Sequence, residues 1–397
     1  MKVELSKKGL SVSSSITLAI DSKAKQMKAE GMNVISFGVG EPDFQTPDYI
    51  KQAAIKAIEE KSIGYTPAPG MLQLRQSICN KLASDNELEY LPQHIIVSNG
   101  AKHSVYNIFQ AVCNPGDEVI IPVPYWVSYP EHVKMADAIP VYIDCPEEND
   151  FKMKPEDFLA AISSKTKAII LNSPSNPTGA VYSKKELEQI AKIAVDHNIL
   201  VVSDEIYEKL IYGNEKHVSI ASLNSEIKDL TIVINGMSKG YAMTGWRIGY
   251  TASNSEIAKI MSNIQSHATS NPNTVAQYAS IEALERDQSS IETMRLAFDE
   301  RRKYMINRVN EIQNLSCIAP NGAFYIMMNI SQLIGKVVDG KIINGSMDFA
   351  EVLLDRTHVA VVPGIAFGVD HLVRLSYANS MENITEGLNR IDKFLNE

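Results

Sequence analysis

Lys239 stands among small residues in the run Gly236-Met237-Ser238-Lys239-Gly240-Tyr241-Ala242-Met243-Thr244-Gly245-Trp246-Arg247-Ile248-Gly249. It follows an apolar stretch at 231–234 that reads as a strand, and Arg247 comes eight positions later. Desolvation and neighbouring positive charge both lower a lysine's pKa, and the neutral amine condenses with an aldehyde. Arginine stays charged at any working pH and grips a phosphate with a planar fork. A lone lysine after a strand is more often a solvated loop residue. An amine for an aldehyde and a guanidinium for a phosphate together suggest pyridoxal 5'-phosphate, and the other polar residues decide between the two readings.

Those residues fall where strands end. Short apolar runs at 95–97, 118–121, 140–143, 168–171, 199–202, 231–234 and 247–251 alternate with amphipathic stretches such as 184–197. Val and Ile without polar alternation fit strands covered on both faces, as in a mostly parallel sheet. Interleaved helices complete an α/β pattern, and open α/β sheets bind ligands outside the carboxyl ends of their strands. Ser98-Asn99-Gly100-Ala101, Tyr125-Trp126, the run 172–179, Ser203-Asp204-Glu205-Ile206-Tyr207 and Asn235 to Lys239 all follow such runs. Each alone reads as a turn; five converging on one ligand do not. Gly100 and Ala101, at a helix start, suit backbone contact with a phosphate. A pyridine ring draws off electrons only while its nitrogen stays protonated, which calls for a buried carboxylate, and Asp204 is the candidate; helix capping is its alternative. Tyr207 and Asn176 suit the ring's phenolic oxygen, and Trp126 offers a flat stacking face. Arg374, in the strand-like Val373-Arg374-Leu375-Ser376-Tyr377, matches a carboxylate with its fork.

Composition sets the bounds. The chain has 397 residues, 45% hydrophobic and 21% charged, ordinary for a globular protein with room for roughly two to three domains. A net charge of -9 leaves no excess of cations to neutralise nucleic-acid phosphates, so no nucleic-acid partner is expected. No apolar run reaches the roughly 18 residues of a membrane span, and the charged segment 1–10 lacks the core of a secretory signal. The four cysteines (Cys79, Cys113, Cys145, Cys317) are far apart, forming neither a disulfide framework nor a zinc site, and a reducing, cytoplasmic setting is expected. Polar Ser11 to Ser15 lead into an N-terminal helix. Thr46-Pro47 reads as a cap and first helical position for a helix over 48–60. A second region opens near residue 291 with a long charged helix to about 312. It continues through 322–326 and 359–362 to a helix over 380–394, with 335–345 a surface excursion.

These residues resemble the class I aminotransferases, above all their bacterial-type aspartate aminotransferase subgroup. The resemblance rests on the 236–249 stretch, Gly40-Glu41-Pro42-Asp43-Phe44, Tyr65-Thr66-Pro67, Pro124-Tyr125-Trp126-Val127-Ser128-Tyr129-Pro130, Asn172 to Val181, Ser203 to Tyr207 and Val373 to Ala378. The blocks come in the family's order and span essentially the whole chain. The resemblance implies fold type I of the pyridoxal-phosphate enzymes. An arm and part of a small domain would cover 1–47, a large cofactor-binding domain 48–290 and a small α+β domain 291–397. It also implies that Lys239 carries the cofactor and shuttles a proton, that Asp204 pairs with the ring nitrogen, and that Tyr207 and Asn176 contact its phenolic oxygen. Gly100, Ala101, Ser238 and Arg247 would hold the phosphate, with Tyr65 reaching the phosphate of a neighbouring subunit in an obligate homodimer. Trp126 would stack on the ring, and Arg374, helped by Gly40 and Asn176, would bind the substrate α-carboxylate.

The activity so implied is ping-pong amino transfer between amino acids and 2-oxo acids, with L-aspartate and 2-oxoglutarate as the expected pair. Lys102 is the expected partner of aspartate's distal carboxylate, and 268–272 is a candidate for added hydroxyl contacts from the partner subunit. Relatives that accept prephenate use a lysine in the N-terminal arm, where this chain reads Ser13-Ser14-Ser15-Ile16-Thr17-Leu18. A C–S lyase of the same fold is the second reading, disfavoured by Asn176-Pro177-Thr178-Gly179 and Arg374. A cofactor-sensing transcriptional regulator is the third; the acidic charge and the lack of a leading basic module speak against it. No metal is expected.

Overall fold

The structure, a computed structural model, describes residues 3–13 and 16–396. Ser14 and Ser15 of the polar lead-in, and Met1 of the N-terminal segment, lie outside the described residues. A seven-stranded sheet forms the centre, in the order Ile95–Ser98, Gly249–Ala252, Thr231–Gly236, Leu200–Asp204, Thr166–Asn172, Glu118–Val123 and Ile139–Asp144. All neighbours run parallel except Gly249–Ala252, which is antiparallel to both of its neighbours. The strand Thr231–Gly236 is buried at every position, as Ile and Val without alternation require when helices cover both faces. Ile139–Asp144, at the edge, carries the more exposed residues.

Register brings the strand ends level. Asn172 pairs with Asp204, and Asp204 with Ile234. One strand over, Ser98 and Gly236 both face Gly249. A Cβ on Gly249 would strike the backbone of Gly100 and Ala101, so the antiparallel strand presses directly against the start of the helix Ala101–Val112.

A second, three-stranded antiparallel sheet has the order Val362–Pro363, Leu372–Ser376, Tyr325–Asn329. The N-terminal strand Ile35–Ser36 pairs in parallel with Val359–Ala360, and the Ser376 N–H donates to Phe37 O at 2.9 Å. Residues near the two ends of the chain thus share one apolar core, in which Phe37, Phe298, Phe324, Tyr377, Leu388 and Ile391 pack together. The long helix Ser289–Glu311 and the last helix Met381–Asn396 flank it.

Several sequence expectations shift. The helix Asp48–Glu60 forms, but Thr46 does not cap it and Pro47 sits at the cap position. The Thr46 hydroxyl instead donates to Ala242 O at 2.7 Å and accepts from Trp246 Nε1 at 3.0 Å. The expected strand at 247–251 begins only at Gly249, because Arg247 follows a short turn, Thr244–Trp246, with φ +57°. The run 322–326 starts as a turn: a Cβ on Gly322 would strike Pro174, and the Gly322 N–H donates to Gly179 O at 2.8 Å. The surface excursion contains a small hairpin, Val337–Val338 with Lys341–Ile342.

Candidate active site

The strand ends of the large sheet and the face of the small one enclose a cavity of about 490 Å³. Lys239, Asp204, Tyr207, Asn176, Trp126 and Arg374 all line it, as do Gly40, Ala101, Lys102, Ser238 and Arg247. Two predicted residues stand apart. Gly100 lies just behind the wall, with φ +85° and no room for a Cβ against the Arg247 guanidinium. Tyr65 is 93% exposed and outside this chain's cavity. The segment 268–272 does not line the cavity either.

Lys239 lies three residues after the strand Thr231–Gly236, in a turn closed by the Ala242 N–H to Lys239 O at 3.3 Å and the Met243 N–H to Ser238 O at 3.2 Å. Its ammonium donates to Gly40 O and lies 5.8 and 5.7 Å from the Tyr207 and Phe324 ring centroids. Burial lowers its pKa to about 8; Glu41 works against this, and Arg374 and Arg247 add to it. A neutral amine is thus within reach near neutrality.

Asp204 ends its strand 4% exposed. Its Oδ2 accepts from Tyr129 Oη at 2.7 Å and its Oδ1 from the Ile206 N–H at 3.2 Å. It caps no helix; the second contact is a local turn. Burial pushes the carboxyl up to about 6, while these two hydrogen bonds pull it down. Tyr207, one turn on, shares a hydrogen bond of 3.0 Å with Tyr325, and burial raises both phenols.

Arg374 is 4% exposed in the middle of the strand Leu372–Ser376. Its Nη1 donates to Asn176 Oδ1 at 2.9 Å and its Nη2 to Gly38 O at 3.1 Å, with the guanidinium 4.3 Å from the Tyr325 ring centroid. Among the described residues no carboxylate pairs with it, and its Nε has no hydrogen-bond partner. A buried cation without an anion is costly, so a carboxylate ligand is its natural complement. Asn176 is held in turn by its N–H to Asn172 Oδ1 at 2.8 Å, and Asn172 Nδ2 donates to Asp204 O at 2.9 Å.

The residues fit pyridoxal 5'-phosphate. The helix Ala101–Val112 turns its first amides towards the cavity wall beside Ser238 and the Arg247 guanidinium, which is braced by Thr244 O at 2.9 Å. Donors of this kind suit a phosphate dianion. Across the cavity, buried Asp204 suits a cationic ring nitrogen, and Trp126 supplies a flat wall. The Lys102 ammonium lies 5.0 Å from the Trp126 centroid; burial and then the Arg247 charge lower its pKa.

Sequence reading missed Tyr129, Tyr325, Glu41 and Lys25. Tyr129 lies three residues after Trp126, in the first turn of the helix Ser128–Met135, and stands edge-on to Trp126 at 5.2 Å. Its place in the 124–130 block was the available signal. Glu41, in the loop after Gly40, accepts from Thr244 Oγ1 at 2.7 Å. Lys25, on the helix Ile16–Ala29, reaches the cavity wall, which its sequence spacing gave no way to see.

A fold of this kind, with the buried Lys239, the buried carboxylate of Asp204 and the guanidinium of Arg374, which meets no carboxylate among the described residues, around one cavity, defines a cofactor-assisted enzyme of amino-acid chemistry. Residues 32–391 match the family described as aminotransferase class I and II, and the chain belongs to that family. It is 49% identical over 395 residues to the aspartate aminotransferase of Bacillus sp. (strain YM-2), covering 100% of both chains. It is 44% identical over 383 residues to a probable aspartate/prephenate aminotransferase of Aquifex aeolicus, covering 96% of each. Among solved structures it matches the aspartate aminotransferase from Rhizobium meliloti with a TM-score of 0.96 at 40% identity, covering 100% of this chain and 99% of that one.

Proposed function

We propose that this chain moves the amino group of L-aspartate to 2-oxoglutarate, giving oxaloacetate and L-glutamate, with pyridoxal 5'-phosphate as cofactor. The observation that carries the reading is the meeting of Lys239, Asp204 and Arg374 on one cavity, each desolvated. When bound, the cofactor supplies an aldehyde for the donor's nitrogen and a cationic ring that takes up the electrons released at the donor's α-carbon.

The chain's own residues do the rest. Gly100, Ala101, Ser238 and Arg247 hold the phosphate. Asp204, anionic above about pH 6, pairs with the ring nitrogen. Tyr207 and Asn176 orient the ring through its phenolic oxygen, and Trp126 covers one face and keeps water off it. Arg374 binds the substrate α-carboxylate with its unpartnered Nε and a neighbouring N–H, while Asn176 and Gly38 O keep the fork aligned. Gly40 closes that end. Lys239 Nζ, neutral near its pKa of about 8, takes the proton from the donor's α-carbon. Lys102 receives the distal carboxylate that distinguishes aspartate from alanine.

The reading extends to the whole molecule. Residues 1–47 form an arm and part of a small domain, 48–290 the cofactor-binding domain and 291–397 the small domain, with the cavity between. The exposed Tyr65 reaches the phosphate of a second copy, making a homodimer with shared sites. Four free cysteines accord with a reducing cytoplasm. Lys25 on the cavity wall favours prephenate as a further acceptor, although 13–18 carry no lysine. The test is a screen of amino donors and 2-oxo acids with the purified protein. Transfer from aspartate to 2-oxoglutarate is expected; pyruvate released from a cysteine conjugate without any acceptor would replace this reading with the lyase.

A further inference from the structure

The turn that carries Asp204 and Tyr207 also bears a charged network that is not part of the cavity wall. Glu205, 1% exposed, accepts at Oε1 from Ser203 Oγ at 2.9 Å and Ser219 Oγ at 2.6 Å. Its Oε2 lies 2.8 Å from His217 Nε2. Glu208 pairs with Lys81 of the helix Leu72–Asn86 and accepts from Asn86 Nδ2 at 2.9 Å. Carboxylate oxygens of Glu205 and Glu208 and a ring nitrogen of His217 all lie within 4.8 Å of one another.

Two carboxylates sealed from water at this spacing repel unless each faces a cation. Lys81 answers Glu208. The cation left for Glu205 is His217, whose side chain is 9% exposed. Burial opposes its protonation, but the Glu205 charge, the hydrogen bond to it and the Glu208 charge outweigh burial and raise its pKa; Lys81 counts slightly against. The phenols of Tyr90 and Tyr250 also feel Glu205: burial and then the Glu205 charge push Tyr90 up, and burial and then the Glu208 charge, with Glu205 behind it, push Tyr250 up. Asp204 is the chain neighbour of Glu205. After burial, Glu205 is the charge that pushes the Asp204 carboxyl up, against Tyr129, Ile206 and Lys239.

We propose that His217, as an imidazolium bonded to Glu205 and close to Glu208, is a positioning residue for the active site: it offsets the Glu205 charge and fixes the 204–208 turn, so that Asp204 remains an anion facing the cofactor. The inference rests on the pyridoxal phosphate assignment above. His217 touches neither substrate nor cofactor; it acts through Glu205 on Asp204.

His217→Gln separates charge from shape, because the amide still donates to Glu205 but carries no charge. The measurement is the affinity of the apoenzyme for pyridoxal phosphate by fluorescence quenching, from about pH 5 to about pH 8.5. Above the Asp204 titration the variant should match the wild type. On the acid side its binding should fall about tenfold further, the effect of about one pKa unit at Asp204. The double variant Glu205→Gln, His217→Gln removes the uncompensated charge and should restore the wild-type acid limb. An unshifted limb, or a loss equal at every pH, would overturn the inference. A wild type that binds no pyridoxal phosphate would instead overturn the cofactor assignment beneath it. Should the single variant fail to fold, nitrogen NMR of His217 in the wild-type apoenzyme decides. An imidazolium throughout the pH range where Asp204 titrates supports the proposal, and a neutral ring there refutes it.

Discussion

Replacing Arg374 with methionine separates a residue kept for binding from one kept for folding. The guanidinium is 4% exposed, pairs with no carboxylate among the described residues and spends two donors on Asn176 Oδ1 and Gly38 O. Losing it leaves those two acceptors unpaired, at about 1–3 kcal/mol each. The same change removes a buried cation whose desolvation costs several kcal/mol. These terms oppose each other, so apoenzyme stability in urea should change by no more than about 2 kcal/mol. Activity has no such offset. Two charge-assisted hydrogen bonds to the substrate α-carboxylate, at about 1.5–3 kcal/mol each, amount to about 3–6 kcal/mol. At about 1.4 kcal/mol per tenfold, kcat/KM for aspartate should fall by about 10² to 10⁴. Arg374→Lys keeps the charge without the fork and should fall between. Steady-state kinetics and urea unfolding on the same preparations make the test. A variant that unfolds with a loss above about 4 kcal/mol, or that keeps kcat/KM within about tenfold, would refute the argument.

Three further outcomes are expected. Tyr129→Phe removes one donor from a buried carboxylate, so the Asp204 pKa should rise above about 6 and the acid limb of cofactor binding should move up with it; fluorescence titration of the apoenzyme reads this, and an unmoved limb counts against the role of Tyr129. Lys102→Ala should cut kcat/KM for aspartate at least about tenfold more than for alanine, the lower end of a charged hydrogen bond, and equal losses would remove the specificity argument. Because the Lys239 pKa is lowered from 10.5 to about 8, the apoenzyme's rate of aldehyde capture should rise with pH up to about 8 and then level off; stopped-flow absorbance follows it, and a rate still climbing towards 10.5 would show an ordinary lysine.

Much of this was readable in the residues because strands and their polar ends carry local signals. Short apolar runs, mostly Val and Ile, marked six strands of the large sheet, whereas Gly249–Ala252 contains neither residue and was placed two residues early; the small polar clusters after the runs marked the level where register joins Asn172, Asp204 and Ile234. Lys239 and Arg247 share one short loop, so their pairing is also local. What sequence did not disclose depends on tertiary approach. Thr46 looks like a helix cap but is claimed by Ala242 and Trp246, about two hundred residues away. Arg247 sits outside the expected strand because its left-handed backbone turns the guanidinium against Gly100. Tyr129 and Tyr325 were assigned no role from sequence, because only packing sets their hydroxyls on Asp204 and Tyr207.

The central claim is that Lys239 captures the cofactor aldehyde. Borohydride reduction of the purified holoenzyme, followed by peptide mass spectrometry, tests it most directly. A phosphopyridoxyl group on the peptide containing Lys239, absent in Lys239→Ala, is the predicted result; the same group on Lys102 or Lys25, or no covalent adduct at all, would contradict it.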